Sequence, residues 1–234
     1  ADDGAVMGGS LTATRAASGS WALTPLTHRL SVLRRAIALY AERLSFDDNP
    51  VIVETALAAA RSQLSDAGQL LAAPQSLPGP TGESNRLLRE PRGTLLTVLD
   101  NPAHNADYLM AVVATLAAGN SLVAFADDAL IEDWSAIASC LLEAGLPEHC
   151  FTPHPLSRLA SAVADPELDG ALVHARSHYL HAVAQALAAR EGPILPLISC
   201  VSPRALLRQT LLEKAVSEDT TAAGGNASLM TMAV

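Results

Sequence analysis

Several things are missing from this 234-residue sequence, and each absence removes a class of function. No apolar run approaches the roughly 18 residues that would span a bilayer, and no signal peptide opens the chain, so a cytoplasmic protein without a membrane span is expected. Basic residues are few, 15 against 24 acidic ones, and the net charge of -9 argues against nucleic acid as a partner, because phosphate binding needs a basic face. Cysteines number only three, Cys140, Cys150 and Cys200, at spacings that make no disulfide framework and fit an intracellular home. Neither G-x-G-x-x-G nor G-x-x-x-x-G-K occurs, so the common phosphate-cradling loops are absent. Aromatics make up 3%, which leaves a core to be built from alanine and leucine, as in helices packed closely on a sheet.

What is present is α/β alternation. Thr94 to Leu99 is a β-rich apolar run stopped by the turn cluster Asp100-Asn101-Pro102. A helix opens at Asn105, with Leu109, Val112, Val113 and Leu116 at helical spacing, and Gly119-Asn120 closes it. Leu122 to Phe125 is a second run, too short for a helix and without alternation, hence a strand buried on both faces. The pattern continues with a helix ending at Gly145, strands at 149–152, 169–174 and 194–200, and helices at 156–163, 177–190 and 203–216. Five such alternations predict a Rossmann-like open parallel sheet of about five strands with helices on both faces.

That domain spans residues 74–216. A helical hairpin over 21–73 precedes it, with Leu26, Leu30, Leu33, Ile37 and Tyr40 on one helix and Ile52, Leu57, Leu64 and Leu71 on the other. Residues 1–20 are rich in Gly, Ala, Ser and Thr without periodicity, and are expected to be a flexible linker or an expression remnant. The Pro- and Gly-rich stretch between Pro74 and Arg89 reads as a surface loop. The tail, 217–234, alternates small and large residues over Ala227 to Met232 and reads as a β-like segment in search of a sheet.

Three stretches carry a resemblance. Pro91, Gly93, Asn101, the run Leu116-Ala117-Ala118-Gly119-Asn120 and Val123 fall in register with the first βαβ unit of the aldehyde dehydrogenase nucleotide-binding domain. Leu77-Pro78-Gly79-Pro80-Thr81-Gly82-Glu83 with Asn85 resembles the C-terminal region of the proline utilization A family, and so does the tail around Gly224, Gly225, Asn226, Ala227, Ser228, Leu229 and Met230. That family's longer members join an FAD-dependent proline dehydrogenase and an NAD-dependent glutamate semialdehyde dehydrogenase, then carry an aldehyde dehydrogenase-like domain without a catalytic site. The resemblance implies that this chain is that last domain.

The functional positions of the aldehyde dehydrogenase pattern are replaced. The lysine that reaches the adenosine ribose is Phe125, and the glycine and serine that let the nicotinamide approach are Ala175 and Arg176. Cys200 stands where the catalytic glutamate belongs, and Asn101, matching the oxyanion asparagine, is alone. No catalytic residue, no cofactor in this chain and no metal are therefore expected. His149, His154, His174, His178 and His181, with Cys150, match no compact ligand spacing. The resemblance implies a non-catalytic module that docks on the aldehyde dehydrogenase module of the same polypeptide and helps seal a substrate-channelling cavity. Its contact residues would be Gly224, Gly225, Asn226, Ala227, Ser228, Leu229, Met230 and Met232. In the chain on its own, that segment is left unpartnered or is borrowed by a neighbouring copy. A regulatory domain with residual weak NAD(P) binding is the alternative at this stage.

Overall fold

A computed structural model describes residues 2–43, 50–100, 105–199 and 203–220. Its centre is a parallel sheet of β3 (Thr94–Leu99), β4 (Ser121–Ala126), β5 (Phe151–Pro155), β6 (Gly170–Val173) and β7 (Leu197–Ile198), in the order β5-β4-β3-β6-β7. This is the expected five-stranded open sheet. The middle strands β3, β4 and β6 are buried at every residue, which is why they read as unbroken apolar runs. Helix α4 (Asn105–Ala117) crosses from β3 to β4, and α5 (Ile131–Ala144) from β4 to β5.

Strand alternation divides the core. Leu95, Leu99, Leu122, Ala124, Ala126 and Leu172 point to one side, where α4 and α5 lie, with α2 (Leu26–Arg43) and α3 (Pro50–Leu70) stacked outside them as a second helical layer. Leu96, Val98, Val123, Phe125, Ala171 and Val173 point to the other side, under α6 (Leu159–Ala164) and α7 (Leu180–Ala188). The chain turns sharply between α4 and β4. Gly119 takes φ +95 there, and a Cβ on it would come within 2.3 Å of the Arg29 guanidinium, so both conformation and space require glycine.

Three expectations are corrected. The stretch expected to be flexible is helical where it is described: α1 (Asp2–Leu23) is a continuous helix. Leu11, Thr14, Ser18 and Trp21 form its buried stripe, at spacings of three and four. Its inner half packs on the Phe125 side of the sheet, and its outer half is pinned at the N-terminal ends of the strands. There the Trp21 indole donates to the Leu116 carbonyl at 2.8 Å, and Arg15 pairs with Glu167 and Asp169 at 2.9 and 3.0 Å. Small Ser and Thr residues let the helix lie close while hiding its periodicity.

The stretch 74–89 is not a plain loop. It holds β1 (Gln75–Leu77) and the start of β2 (Glu83–Pro91), joined by the Pro/Gly turn. The helix expected over 203–216 stops early: α8 is Pro203–Gln209, and β8 (Leu211–Asp219) follows as a strand. β8 pairs antiparallel with β2 along all nine residues, giving a second sheet in the order β1-β2-β8. The 216/217 domain boundary therefore falls inside a strand. Elsewhere the ends move by a few residues: β5 starts at Phe151, α7 at Leu180, and β7 shrinks to Leu197–Ile198.

Candidate functional site

In an open α/β sheet, a ligand crevice forms at the carboxyl ends of the strands where the chain order reverses. Here the chain goes from β3 outward to β4 and β5, then returns to β6 and β7 on the other side, so the reversal lies between β3 and β6. The crevice would open between Leu99-Asp100 and Val173-His174.

Among the described residues it is spanned by a polar knot. The Asp100 carboxylate accepts hydrogen bonds from the Tyr108 hydroxyl at 2.9 Å, the Ser177 hydroxyl at 2.8 Å and the His178 main-chain N–H at 2.7 Å. The end of β3 is thus tied to α4 and to the turn after β6. Partial burial pushes the Asp100 carboxyl up, but the bonds from Ser177, His178 and Tyr108 outweigh it and hold the group below the usual carboxylate range. Burial, then the charge of Asp100, raise the Tyr108 phenol well above its ordinary value. A phenol that stays protonated and a carboxylate that stays charged make a fixed donor–acceptor pair, with no proton to exchange near neutrality.

His174, the residue just after β6, completes the closure. Its Nδ1 accepts the Arg176 main-chain N–H at 3.2 Å, which places the ring proton of the neutral form on Nε2, 3.2 Å from the Asp107 carboxylate. The Tyr108 ring lies tilted toward the imidazole at 6.1 Å and edge-on to Trp134 at 6.2 Å. Among the described residues, Thr97, Tyr108, Leu172, His174, Ile198 and Leu206 line a cavity of about 10 Å³, room for one water.

Of the replaced positions that the resemblance implies, Phe125, Ala175 and Arg176 are among the described residues. Phe125 is fully buried in β4, its ring stacked on His154 at 5.8 Å and 30°. His154 Nε2 lies 3.1 Å from the Ser10 hydroxyl of α1, and burial, with Arg158 nearby, lowers the imidazole pKa. Ala175 and Arg176 are both exposed on the turn after β6. Asn101, Cys200 and the segment of Gly224, Gly225, Asn226, Ala227, Ser228, Leu229, Met230 and Met232 lie outside the described residues. Among the described residues no three His, Cys, Asp or Glu side chains group as a metal would require, and no helix is long and apolar enough to cross a membrane. Cys140 and Cys150 are buried thiols; burial raises both, and Cys150 is pushed up to about 12.

Sequence reasoning missed Asp100, Tyr108 and Ser177, whose meeting depends on contacts 77 residues apart. It also passed over Asn120. That side chain is fully buried, accepts the Gly93 N–H and donates to the Thr210 carbonyl, both at 2.9 Å, and so joins the start of β3 to the end of α8. The Gly119-Asn120 pair is thereby explained by architecture alone.

The second sheet presents an exposed strand. β8 is exposed along most of its length, and its outer edge carries no strand among the described residues. Cross-strand ion pairs Arg86–Glu218, Arg89–Glu213 and Glu90–Lys214 hold β2 and β8 together.

No protein-family model matches the chain. The bifunctional protein PutA of Escherichia coli (strain K12) is 35% identical to it over 158 residues, which is 67% of this chain and 11% of that protein. The PutA of Rhizobium meliloti is 34% identical over 161 residues, 66% of this chain and 12% of that protein. Among solved structures, proline utilization A (PutA) with proline bound in remote sites is similar at a TM-score of 0.74 and 28% identity, over 82% of this chain and 21% of that one. A NAD-dependent benzaldehyde dehydrogenase from Corynebacterium glutamicum shares the fold, with a TM-score of 0.68 and 17% identity over 82% of this chain and 45% of that one. The chain spans about a tenth of the length of the curated relatives it matches. It belongs with the PutA proteins, as a segment whose fold is that of the aldehyde dehydrogenase superfamily.

Proposed function

We propose that this chain is a non-catalytic structural module of a bifunctional proline-catabolic polypeptide, one that carries FAD-dependent proline dehydrogenase and NAD-dependent aldehyde dehydrogenase activities elsewhere. It docks on the aldehyde dehydrogenase module through the β1-β2-β8 ribbon and the segment that follows it. In that position it stands in for a second subunit and helps seal the cavity through which the intermediate passes. The observation that carries the reading is the bonding across the switch point: Asp100 is fastened to Tyr108, Ser177 and His178, beside a cavity of about 10 Å³ among the described residues. The exposure of β8, with its outer edge unpaired among the described residues, supports the docking half.

Two measurements test the two halves. Calorimetric titration of the isolated chain with NAD should give no dissociation constant tighter than about 1 mM, or roughly -4 kcal/mol; tighter binding overturns the non-catalytic reading. Deleting the parent from Gly225 onward should reduce coupled proline-to-glutamate flux more than the flavin half-reaction. An unchanged coupled rate and lag would show that the tail takes no part.

A further inference from the structure

His174 and His154 both stand near carboxyl ends of the parallel strands, in opposite surroundings. His174 Nε2 lies 3.2 Å from the Asp107 carboxylate. His154, half-buried in β5, has no ion-pair partner among the described residues. The Phe125 ring stacks on its imidazole at 5.8 Å, and the Ser10 hydroxyl of α1 bonds its Nε2 at 3.1 Å. The charged group that acts on the ring is Arg158, at the end of the short 3-10 turn Leu156–Arg158. β4, β5 and α6 hold no other ionisable residue. On α1, Asp2 and Asp3 lie about two turns before Ser10, and Arg15 is engaged with Glu167 and Asp169. The helix is thus fastened in two ways. Towards the amino ends of the strands it is held by the Arg15 ion pairs and by the Trp21 indole on the Leu116 carbonyl. Towards the carboxyl ends, Ser10 meets a ring that can take a proton, and Leu11 is buried in one cluster with Val123 and Phe125.

We propose that His154 is a proton-sensitive latch for the first half of α1. With the ring neutral, Ser10 and Leu11 close over Phe125; when the ring takes a proton, the helix lifts there and pivots on its Arg15 and Trp21 anchors. The Ser10 hydroxyl can accept from a protonated Nε2 as well as donate to a neutral one, so the bond itself does not open the latch. The unmet charge does. It finds no carboxylate, it is repelled by Arg158, and α1 stands between it and water, so lifting the helix is the direct route to hydration. Burial, and after it the charge of Arg158, hold the ring below its ordinary value of 6.5. The contribution of the neutral ring to closure is therefore full above 6.5 and is lost as pH falls below it. Opening uncovers the apolar side of β4 on which Val123 and Phe125 lie. The device is built into this chain and does not depend on where the ribbon docks.

Hydrogen exchange of the 234-residue chain at pH 7.5 and pH 5.5, corrected for the intrinsic pH dependence of exchange, tests it. Protection within residues 2–12 should fall at least about threefold over that range, while residues 16–23 and strand 94–99 keep theirs. The range lies above that in which ordinary carboxylates titrate. His154→Gln keeps a hydrogen-bonding side chain that takes no proton here, and should leave protection of residues 2–12 flat with pH. Arg158→Gln removes the neighbouring cation and should move the response to higher pH. The imidazole C–H proton signal that His154→Gln removes should titrate below 6.5 in the wild type, with the same midpoint as the exchange response. Ser10→Ala leaves the ring in place and should lower protection of residues 2–12 already at pH 7.5. Circular dichroism checks that each variant folds; should His154→Gln fail, the direction of the Arg158→Gln shift decides. Equal protection at the two pH values overturns the proposal. So does a loss shared equally by strand 94–99, which would be general unfolding, or a response that persists in His154→Gln.

Discussion

Asp100→Ala should destabilise the isolated chain by about 3 kcal/mol, and the reason lies in which partner is left stranded. Three donors lose their acceptor. The His178 N–H and the Ser177 hydroxyl are at least partly open to solvent and can turn to water, so each costs a few tenths to about 1 kcal/mol. The Tyr108 residue is 4% exposed, and its hydroxyl, once unpaired, costs roughly 1–3 kcal/mol. For a chain of this length about 3 kcal/mol lowers the melting temperature by roughly 6–12 °C. Asp100→Asn keeps an acceptor oxygen but loses the charge, and should fall about midway.

The pH dependence separates charge from shape. Because the folded state depresses the Asp100 pKa, the charged form contributes stability above the unfolded value of 3.8 and loses it as pH falls through the folded one. The gap between wild type and Asp100→Asn should be full at pH 7 and close below pH 3.8. Thermal and urea denaturation followed by circular dichroism at pH 7 and pH 3 reads both. An Asp100→Ala variant within about 0.5 kcal/mol of wild type at pH 7 would refute the knot as a source of stability.

Restoring the family's lysine by Phe125→Lys should abolish soluble folding rather than restore nucleotide binding, since it exchanges a fully buried ring for a buried charge at a cost of at least about 4 kcal/mol; expression and circular dichroism check it. Asn120→Ala should cost about 2–3 kcal/mol in urea denaturation, because the Gly93 N–H and the Thr210 carbonyl are both left unpaired at a buried site. Cys140 and Cys150 should resist alkylation at pH 8 until urea unfolds the chain, burial having raised both thiols; modification at either site in the native state, located by mass spectrometry, would count against the buried placement.

The parallel sheet was legible because each of its inner strands is buried on both faces, leaving short, β-rich apolar runs between turn residues, separated by longer runs with helical spacing. The ribbon was not. β8 reads L-L-E-K-A-V-S-E-D, a run with good helix formers and no clean alternation, and only its nine-residue pairing with β2 makes it a strand. α1 was hidden for a different reason: two of the four residues in its buried stripe are Thr14 and Ser18, which count as polar in any periodicity. At the site, the resemblance implied Phe125 in a lysine's place, but nothing in the sequence implied the bonds to Asp100. Asp100 looked like ordinary turn chemistry, and nothing local marks Ser177 and Tyr108 as its partners.

The ribbon also sets a timetable. β2 and β8 pair residues 83–91 with 211–219, so the first strand leaves the ribosome more than a hundred residues before the second. At synthesis rates of roughly 5–20 residues per second, β2 waits on the order of ten seconds, with only the three residues of β1 beside it. The parallel sheet, whose strands are all encoded between the two, is made in that interval. During synthesis, therefore, the module presents an open β2 edge while its parallel sheet forms, and β8 arrives only afterwards to cover it.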